Sequence, residues 1–84
     1  MADVEITPIA AASYDRLPRT IRERVLKILT RLTNWPDVSG AKPLSGDLAG
    51  WYRIRTGDYR IRFFVEGDIV TVDKIGHRKD VYED

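Results

Sequence analysis

The stretch "WYRIRTGDYRIRFFVEGDIVTVDKI", Trp51 to Ile75, decides the fold of this chain. Apolar and polar side chains alternate along its first two runs, which is the pattern of β-strands with one buried face, and a β-branched third run follows. The segments "TGD" and "EGD" separate the runs and have the composition of tight hairpin turns. The stretch therefore predicts three consecutive antiparallel strands.

A further strand and two helices are predicted ahead of this stretch. Residues 2–9 alternate loosely and indicate a first strand that ends at Pro8, while residues 10–17 have the composition of a short helix. Residues 34–50 contain two prolines and three glycines, which predicts a loop that returns over the helices.

The longer helix is predicted over residues 17–32, where apolar side chains recur with the helical period. They form one stripe: Ile21, Val25, Ile28, Leu29 and Leu32. Thr20 and Glu23 have the spacing of a capping box, and Pro18 suits the start of a helix. The basic residues off the stripe are interpreted as a solvated helix face.

The element order β-α-α-β-β-β predicts an α+β fold in which two N-terminal helices pack on one face of a mostly antiparallel sheet. At this length, residues 1–84 are expected to form a single domain. In each of the two alternating strands, every second side chain is apolar and should face the helices. These side chains include Tyr52 and Ile54 in one strand and Ile61 and Phe63 in the next. The arginines of both strands then share the opposite, open face.

Composition argues against several classes of site. The chain has no cysteine and one histidine, which argues against disulfides, cysteine nucleophiles and structural zinc. Neither a glycine-rich phosphate loop nor a cluster of acids for magnesium is visible, so no metal or cofactor is expected. The N-terminus lacks the features of a signal peptide, and no apolar run reaches membrane-spanning length. These features predict a cytoplasmic protein with no membrane partner.

Positive charge is concentrated in the two alternating strands, although the net charge is only +1. Arg53, Arg55, Arg60 and Arg62 lie in a stretch whose one acid is Asp58. Arginine forks bind phosphate oxygens in a bidentate manner, so this face could hold a phosphodiester. A solvated polar face is the ordinary arrangement for an antiparallel sheet, and the spacing alone favours that interpretation.

The segment "GHRKDVY", which follows the last strand, adds further chemistry. His77 can exchange a proton near neutral pH, Arg78 can stabilise an anionic transition state, and Tyr82 can stack on a base. Together these are the parts of a metal-independent ribonuclease, although each alone also has a structural explanation. If the last strand pairs with the arginine strands, we expect all these side chains to converge on one sheet face.

The run "LSGDLAGWYRIRTGDYRIRF", Leu44 to Phe63, together with "IGHRKDVY", Ile75 to Tyr82, resembles the RelE/ParE superfamily of toxin–antitoxin toxins, closer to its RelE branch. The similarity covers essentially the whole chain. It implies a toxin that cuts messenger RNA on the ribosome, without a metal, by attack of a ribose 2′-hydroxyl on the adjacent phosphate. The implied products carry a 2′,3′-cyclic phosphate and a 5′-hydroxyl end. The implied protein partner is a cognate antitoxin in a hetero-oligomeric complex.

The resemblance also implies roles for the arginines. Arg53 and Arg55 match the family's basic pair and would orient the RNA backbone, with Arg62 as a further phosphate-binding candidate. Arg60 and Arg78 match positions that bind the scissile phosphate and would stabilise the developing phosphorane.

Two other positions complete the implied site. Tyr82 matches the C-terminal tyrosine that stacks on or orients the substrate base. Lysines in the family's basic pair often act as the base, whereas arginines stay protonated. His77 is therefore the candidate for general acid or base.

Two alternatives stay open. ParE-like members poison DNA gyrase and are not enzymes, and a degenerate toxin would only bind its antitoxin. Two features are compatible with either alternative. Arginines replace the lysine pair, and the total charge is below that usual for ribosome-dependent toxins.

Overall fold

The computed structural model describes residues 1–81, and its elements follow the predicted order with one addition. They are β1 (Asp3–Ile6), α1 (Pro8–Asp15), α2 (Arg19–Arg31), β2 (Lys42–Pro43), β3 (Trp51–Thr56), β4 (Tyr59–Glu66) and β5 (Ile69–His77). The strands form one sheet in the order β1-β5-β4-β3-β2. All neighbouring strands are antiparallel except β1 and β5, which pair in parallel at one edge. The predicted α+β class and mostly antiparallel sheet are therefore confirmed.

The N-terminal boundaries differ from the prediction because Pro8 begins a helix instead of ending a strand. β1 stops at Ile6, and Thr7 caps α1, with its side-chain oxygen accepting a hydrogen bond from the Ala10 N–H at 3.2 Å. Proline has no N–H and a helix-compatible φ, which suits the first helical position. The segment predicted as a loop also contains β2, whose Lys42 is the register partner of Arg53.

The apolar stripe of α2 is buried as predicted, with Ile21 half-buried at its start. The predicted capping box is wrong, because Pro18 occupies the N-cap and no side chain caps the helix. Thr20 and Glu23 therefore lie inside the helix. The fixed φ of proline starts this helix without the help of a capping side chain.

The core lies between the helices and the sheet. The side chains of β3 and β4 that were predicted to face the helices do so. Phe63 and Ile61 are fully buried there, and Ile54 is almost so. Trp35, from the segment after α2, packs its ring edge-on against Tyr52 and Phe63, with ring centroids 4.7 and 5.3 Å apart. No helix in residues 1–81 combines the length and the apolar character needed to cross a membrane.

A β-bulge interrupts the pairing of β4 with β5. Arg62 pairs with Lys74 whereas Phe63 pairs with Val72, which leaves Asp73 as an extra residue on β5. An extra residue reverses the alternation of every residue after it. Consequently Val72 and Ile75 both face the helices, although they are three positions apart in the chain.

Candidate functional site

The side of the sheet opposite the helices carries the four predicted arginines, and we name it the arginine face. Arg53 lies opposite Arg62 in the register of β3 and β4, and Arg55 lies opposite Arg60. Cross-strand neighbours of this kind lie roughly 5 Å apart at Cβ. The hairpin thus gathers four guanidinium-bearing side chains into two adjacent pairs, as the alternation predicts.

The arginine face is less open than predicted. Arg53 and Arg60 are each only 8% exposed, whereas Arg55 is exposed. Arg60 folds back along the sheet, and its Nη1 donates hydrogen bonds to the carbonyl oxygens of Gly57 at 3.2 Å and Tyr59 at 3.3 Å. Long basic side chains commonly lay their methylene stems over neighbouring surface in this way.

Three arginines from separate parts of the chain contact the turn between β3 and β4, and we name them the turn cluster. Arg60 reaches the turn through Gly57, and the backbone N–H of Arg78 donates to the Asp58 carbonyl oxygen at 2.7 Å. Arg24 comes from α2, and its Nη1 lies 3.4 Å from the point where a Cβ on Gly57 would lie. The turn thus anchors the Arg60 guanidinium and the main chain of Arg78 at adjacent residues, and cations at such a place can bind a phosphate and stabilise negative charge that develops on it.

Arg24 was not among the predicted site residues. In the sequence it lies off the apolar stripe of α2, and this position does not distinguish a site residue from a solvated cation. Its proximity to the turn depends on how α2 packs on the sheet.

Arg62 is held by an acid instead of being open to solvent. Its Nε donates to Asp73 Oδ1 at 3.1 Å, and its Nη2 donates to Asp73 Oδ2 at 2.6 Å. Its guanidinium carbon also lies 4.9 Å from the ring centroid of Trp51. The bulge explains this geometry, because the extra residue on β5 is the one whose carboxylate reaches Arg62.

Asp73→Ala is expected to lower the free energy of unfolding by about 1–3 kcal/mol, because it leaves the charge of Arg62 without its carboxylate. The two side chains are only 13% and 17% exposed, so water replaces the lost contact poorly. Chemical denaturation would measure the loss. The double variant Asp73→Ala/Arg62→Met should recover part of it, since removal of both charges of a buried pair is well tolerated.

The matched control for this prediction is Glu23→Ala. Glu23 lies 3.6 Å from Arg19 on α2, and these two side chains are 64% and 85% exposed. Loss of such a surface pair should cost at most about 1 kcal/mol. A loss for Asp73→Ala no larger than for Glu23→Ala would contradict the structural role of the Arg62–Asp73 pair.

His77 does not join the arginine face, which corrects the expected convergence. It is the register partner of Tyr59, whose ring centroid lies 5.5 Å from the imidazole, and both point to the side of the helices. There it lines a cleft of about 330 Å³ with Ser13, Arg16 and other residues at the end of α1. Its Nδ1 accepts a hydrogen bond from the Lys79 N–H at 3.2 Å. Successive residues of a strand face opposite sides, so His77 is turned away from Arg60, which pairs with Gly76.

The last predicted site residue, Tyr82, lies outside the described residues 1–81. Within that range, no three His, Cys, Asp or Glu side chains gather into a group that could hold a metal ion.

Comparison with known proteins places the chain among toxins. The family model for the ParE toxin of the type II toxin–antitoxin system parDE matches residues 4–82. Toxin RelE3 of Methanocaldococcus jannaschii is 33% identical over 70 residues, which are 80% of each chain. The solved toxin–antitoxin complex RelBE2 from Mycobacterium tuberculosis contains a chain that matches with a TM-score of 0.80 and 28% identity, over 92% of this chain and 98% of that one.

A second solved structure, the RelB–RelE antitoxin–toxin complex from Methanococcus jannaschii, gives a similar result. The match has a TM-score of 0.76 and 27% identity, and it covers 93% of this chain and 94% of that one. A family model that spans nearly the whole chain and a toxin one-third identical to it agree on the assignment. The chain therefore belongs to the ParE toxin family and is a RelE-like toxin of a type II toxin–antitoxin system.

Proposed function

We propose that this toxin is a ribosome-dependent, metal-independent endoribonuclease that cuts messenger RNA. The observation that carries the proposal is the turn cluster, where the Arg60 guanidinium and the main chain of Arg78 bind adjacent residues of the turn. The exposed Arg55 is the register partner of Arg60. In the reaction, the ribose 2′-oxygen forms a bond to phosphorus while the bond from phosphorus to the 5′-oxygen breaks. The 2′-hydroxyl loses its proton and the departing 5′-oxygen gains one, so the ends are a 2′,3′-cyclic phosphate and a 5′-hydroxyl.

Each arginine has a distinct role in this proposal. Arg60 and Arg78 hold the scissile phosphate and stabilise the additional negative charge of the phosphorane. Arg53 and Arg55 orient the RNA backbone, and Tyr82 stacks on the substrate base. Arginine accepts no proton at neutral pH, so the proton of the 2′-hydroxyl leaves to water. The ribosome supplies the remaining requirement, which is in-line placement of the 2′-oxygen, and the toxin therefore acts in the cytoplasm.

His77 takes a positioning role instead of the proton-transfer role expected from the sequence. Its Nδ1 accepts a hydrogen bond from the Lys79 N–H and thereby orders the short segment that carries Arg78. An antitoxin is the proposed protein partner, since the RelBE2 and RelB–RelE relatives were solved as toxin–antitoxin complexes. Carboxylates of such a partner would neutralise the arginine face and compete with RNA phosphate for it.

The test is primer extension on cellular messages after a short pulse of the wild-type toxin, followed by analysis of the new ends. We expect cuts within translated codons, with 5′-hydroxyl ends that become ligatable only after phosphorylation. Intact messages in arrested cells would contradict the nuclease proposal. The ParE family match favours gyrase as the second candidate target, and that function predicts DNA damage without message cleavage. Normal growth with intact messages would indicate a degenerate toxin that only binds its antitoxin.

The role of His77 is separable with two substitutions in the same assay. An asparagine side-chain oxygen can accept the Lys79 N–H in place of Nδ1, but it cannot shuttle a proton at neutral pH. His77→Asn is therefore expected to retain most of the cleavage, and His77→Ala to lose more of it. Equal and complete loss of cleavage in both variants would indicate that His77 transfers a proton in the reaction.

A further inference from the structure

The end of the arginine face away from the turn cluster is aromatic. Trp51 and Phe64 are register partners on β3 and β4, and their ring centroids lie 4.6 Å apart at a tilt of 58°. They share the parity of the arginines, on the side of the sheet opposite the helices. Both are half-buried, so part of their surface meets solvent. The core aromatic cluster around Phe63 lies on the other side and does not include them.

Arg62 supports this aromatic surface from beside Trp51. The carboxylate of Asp73 occupies one edge of its guanidinium, and the ring of Trp51 lies 4.9 Å from its central carbon. A guanidinium whose charge is already paired makes a poor phosphate clamp, and the Arg62 side chain is only 13% exposed. Its contact with Trp51 instead fixes the position of that ring. The ion pair thus makes Arg62 a support for the Trp51 ring instead of a phosphate-binding cation.

The spacing relates this surface to the phosphate-binding positions. Residues on the same side of a strand are separated by about 6.6 Å, because each residue advances the strand by about 3.3 Å. Trp51, Arg53 and Arg55 therefore form a row along β3 in which an aromatic ring is one step from a cation. A nucleic-acid strand repeats a phosphate and a base at each step. Proteins that bind single strands combine a cationic track with aromatic side chains in this manner.

We propose that Trp51 and Phe64, with the Trp51 ring fixed by Arg62, form a stacking subsite for one base of single-stranded RNA, beside the arginines of the arginine face. The inference rests on the proposed function, because it names where a nucleotide flanking the scissile phosphate binds. RNA fits this surface better than an acidic peptide. A peptide carboxylate would need a cation here, and the charge of Arg62 is already neutralised by Asp73, whereas the partly exposed rings of Trp51 and Phe64 can stack on a base.

The first experiment uses the fluorescence of Trp51 in the full chain. The sequence has two tryptophans, so Trp35→Phe leaves Trp51 as the single reporter, and Trp51→Phe leaves Trp35 as a reporter on the helix side. Each protein is titrated at low salt with a short oligoribonucleotide and with copies that carry one abasic position. We expect saturable quenching of Trp51 and not of Trp35. One abasic position should weaken binding by roughly 5- to 150-fold, the range for loss of one base–aromatic stack.

The second experiment maps message cuts for the wild type, Trp51→Ala and Trp51→Phe. We expect Trp51→Ala to lose the base preference at one position beside the cut, and Trp51→Phe to keep it, because phenylalanine still stacks. A merely structural role for Trp51 would lower cleavage without changing the preferred base. Thermal unfolding of each variant monitors the fold.

The outcomes separate this inference from the proposed function. Wild-type cleavage with an unchanged base preference in Trp51→Ala, and no quenching of Trp51 by RNA, would overturn the subsite and leave the nuclease standing. Absent cleavage with quenching that an abasic position weakens would overturn the nuclease and leave the subsite standing. Quenching of Trp51 by a polyglutamate peptide but not by RNA would overturn the subsite and assign the surface to a protein partner.

Discussion

Arg78→Ala is expected to lower the rate of message cleavage by about 10²- to 10³-fold, the effect of removing one preorganised donor to a developing anion. The main-chain N–H of Arg78 donates a hydrogen bond to the Asp58 carbonyl oxygen, and an alanine at this position keeps that hydrogen bond. The substitution therefore removes the guanidinium of Arg78 while its main chain stays anchored at the turn. Quantitative primer extension after equal pulses of both proteins measures the ratio of rates.

Two further variants sharpen this prediction. Arg78→Lys should retain an intermediate rate, because lysine keeps the charge but not the fork that matches phosphate. Arg19→Ala removes an arginine from α2 whose side chain is 85% exposed, and it should leave cleavage unchanged. A rate for Arg78→Ala within a few-fold of the wild type would exclude Arg78 from the site. An equal fall in Arg19→Ala would indicate that only total charge matters.

Phe63→Ala is expected to unfold most of the protein. Phe63 is fully buried and stacks on Tyr52, with ring centroids 5.5 Å apart, besides its contact with Trp35. Truncation of a buried phenylalanine to alanine costs about 3–5 kcal/mol. A domain of 84 residues has a total stability of about 4–13 kcal/mol, so the loss is comparable with the whole. Urea denaturation followed by far-UV circular dichroism measures the change.

Phe64→Ala is the matched control for this prediction. It truncates the neighbouring residue, which is half-buried on the arginine face. A partly exposed ring loses less burial, so this variant should be clearly more stable than Phe63→Ala. Similar losses in the two variants would contradict the assignment of the core to the helix side of the sheet.

Local periodicity accounts for the parts of this fold that the sequence predicted. The alternation in β3 and β4 assigned Ile54, Ile61 and Phe63 to the core and the four arginines to the opposite side. The apolar stripe of α2 also predicted the buried side of that helix correctly. Burial of one helix face requires apolar residues at the helical period, and this period is visible within the segment itself. The motif around Arg60 and Arg78 identified the toxin family, and the turn at Asp58 brings these two residues together.

At the candidate site, the sequence prediction failed where contacts between distant segments decided the outcome. The bulge at Asp73 exists only because β4 and β5 pair in a particular register, and it decides that Arg62 is held by an acid. The same register turns His77 toward the helices and away from Arg60. β2 is a strand only because β3 offers it an edge, and Arg24 reaches the turn only because α2 packs above it.

The sequence by itself thus determined the class of the fold, the composition of its two sheet faces and the family. The tertiary structure alone decided which arginines contact the turn, that Asp73 pairs with Arg62, and that His77 faces the helices. The physical reason is that periodicity is a property of a few consecutive residues, whereas register and packing are set by free-energy differences among pairings far apart in the chain.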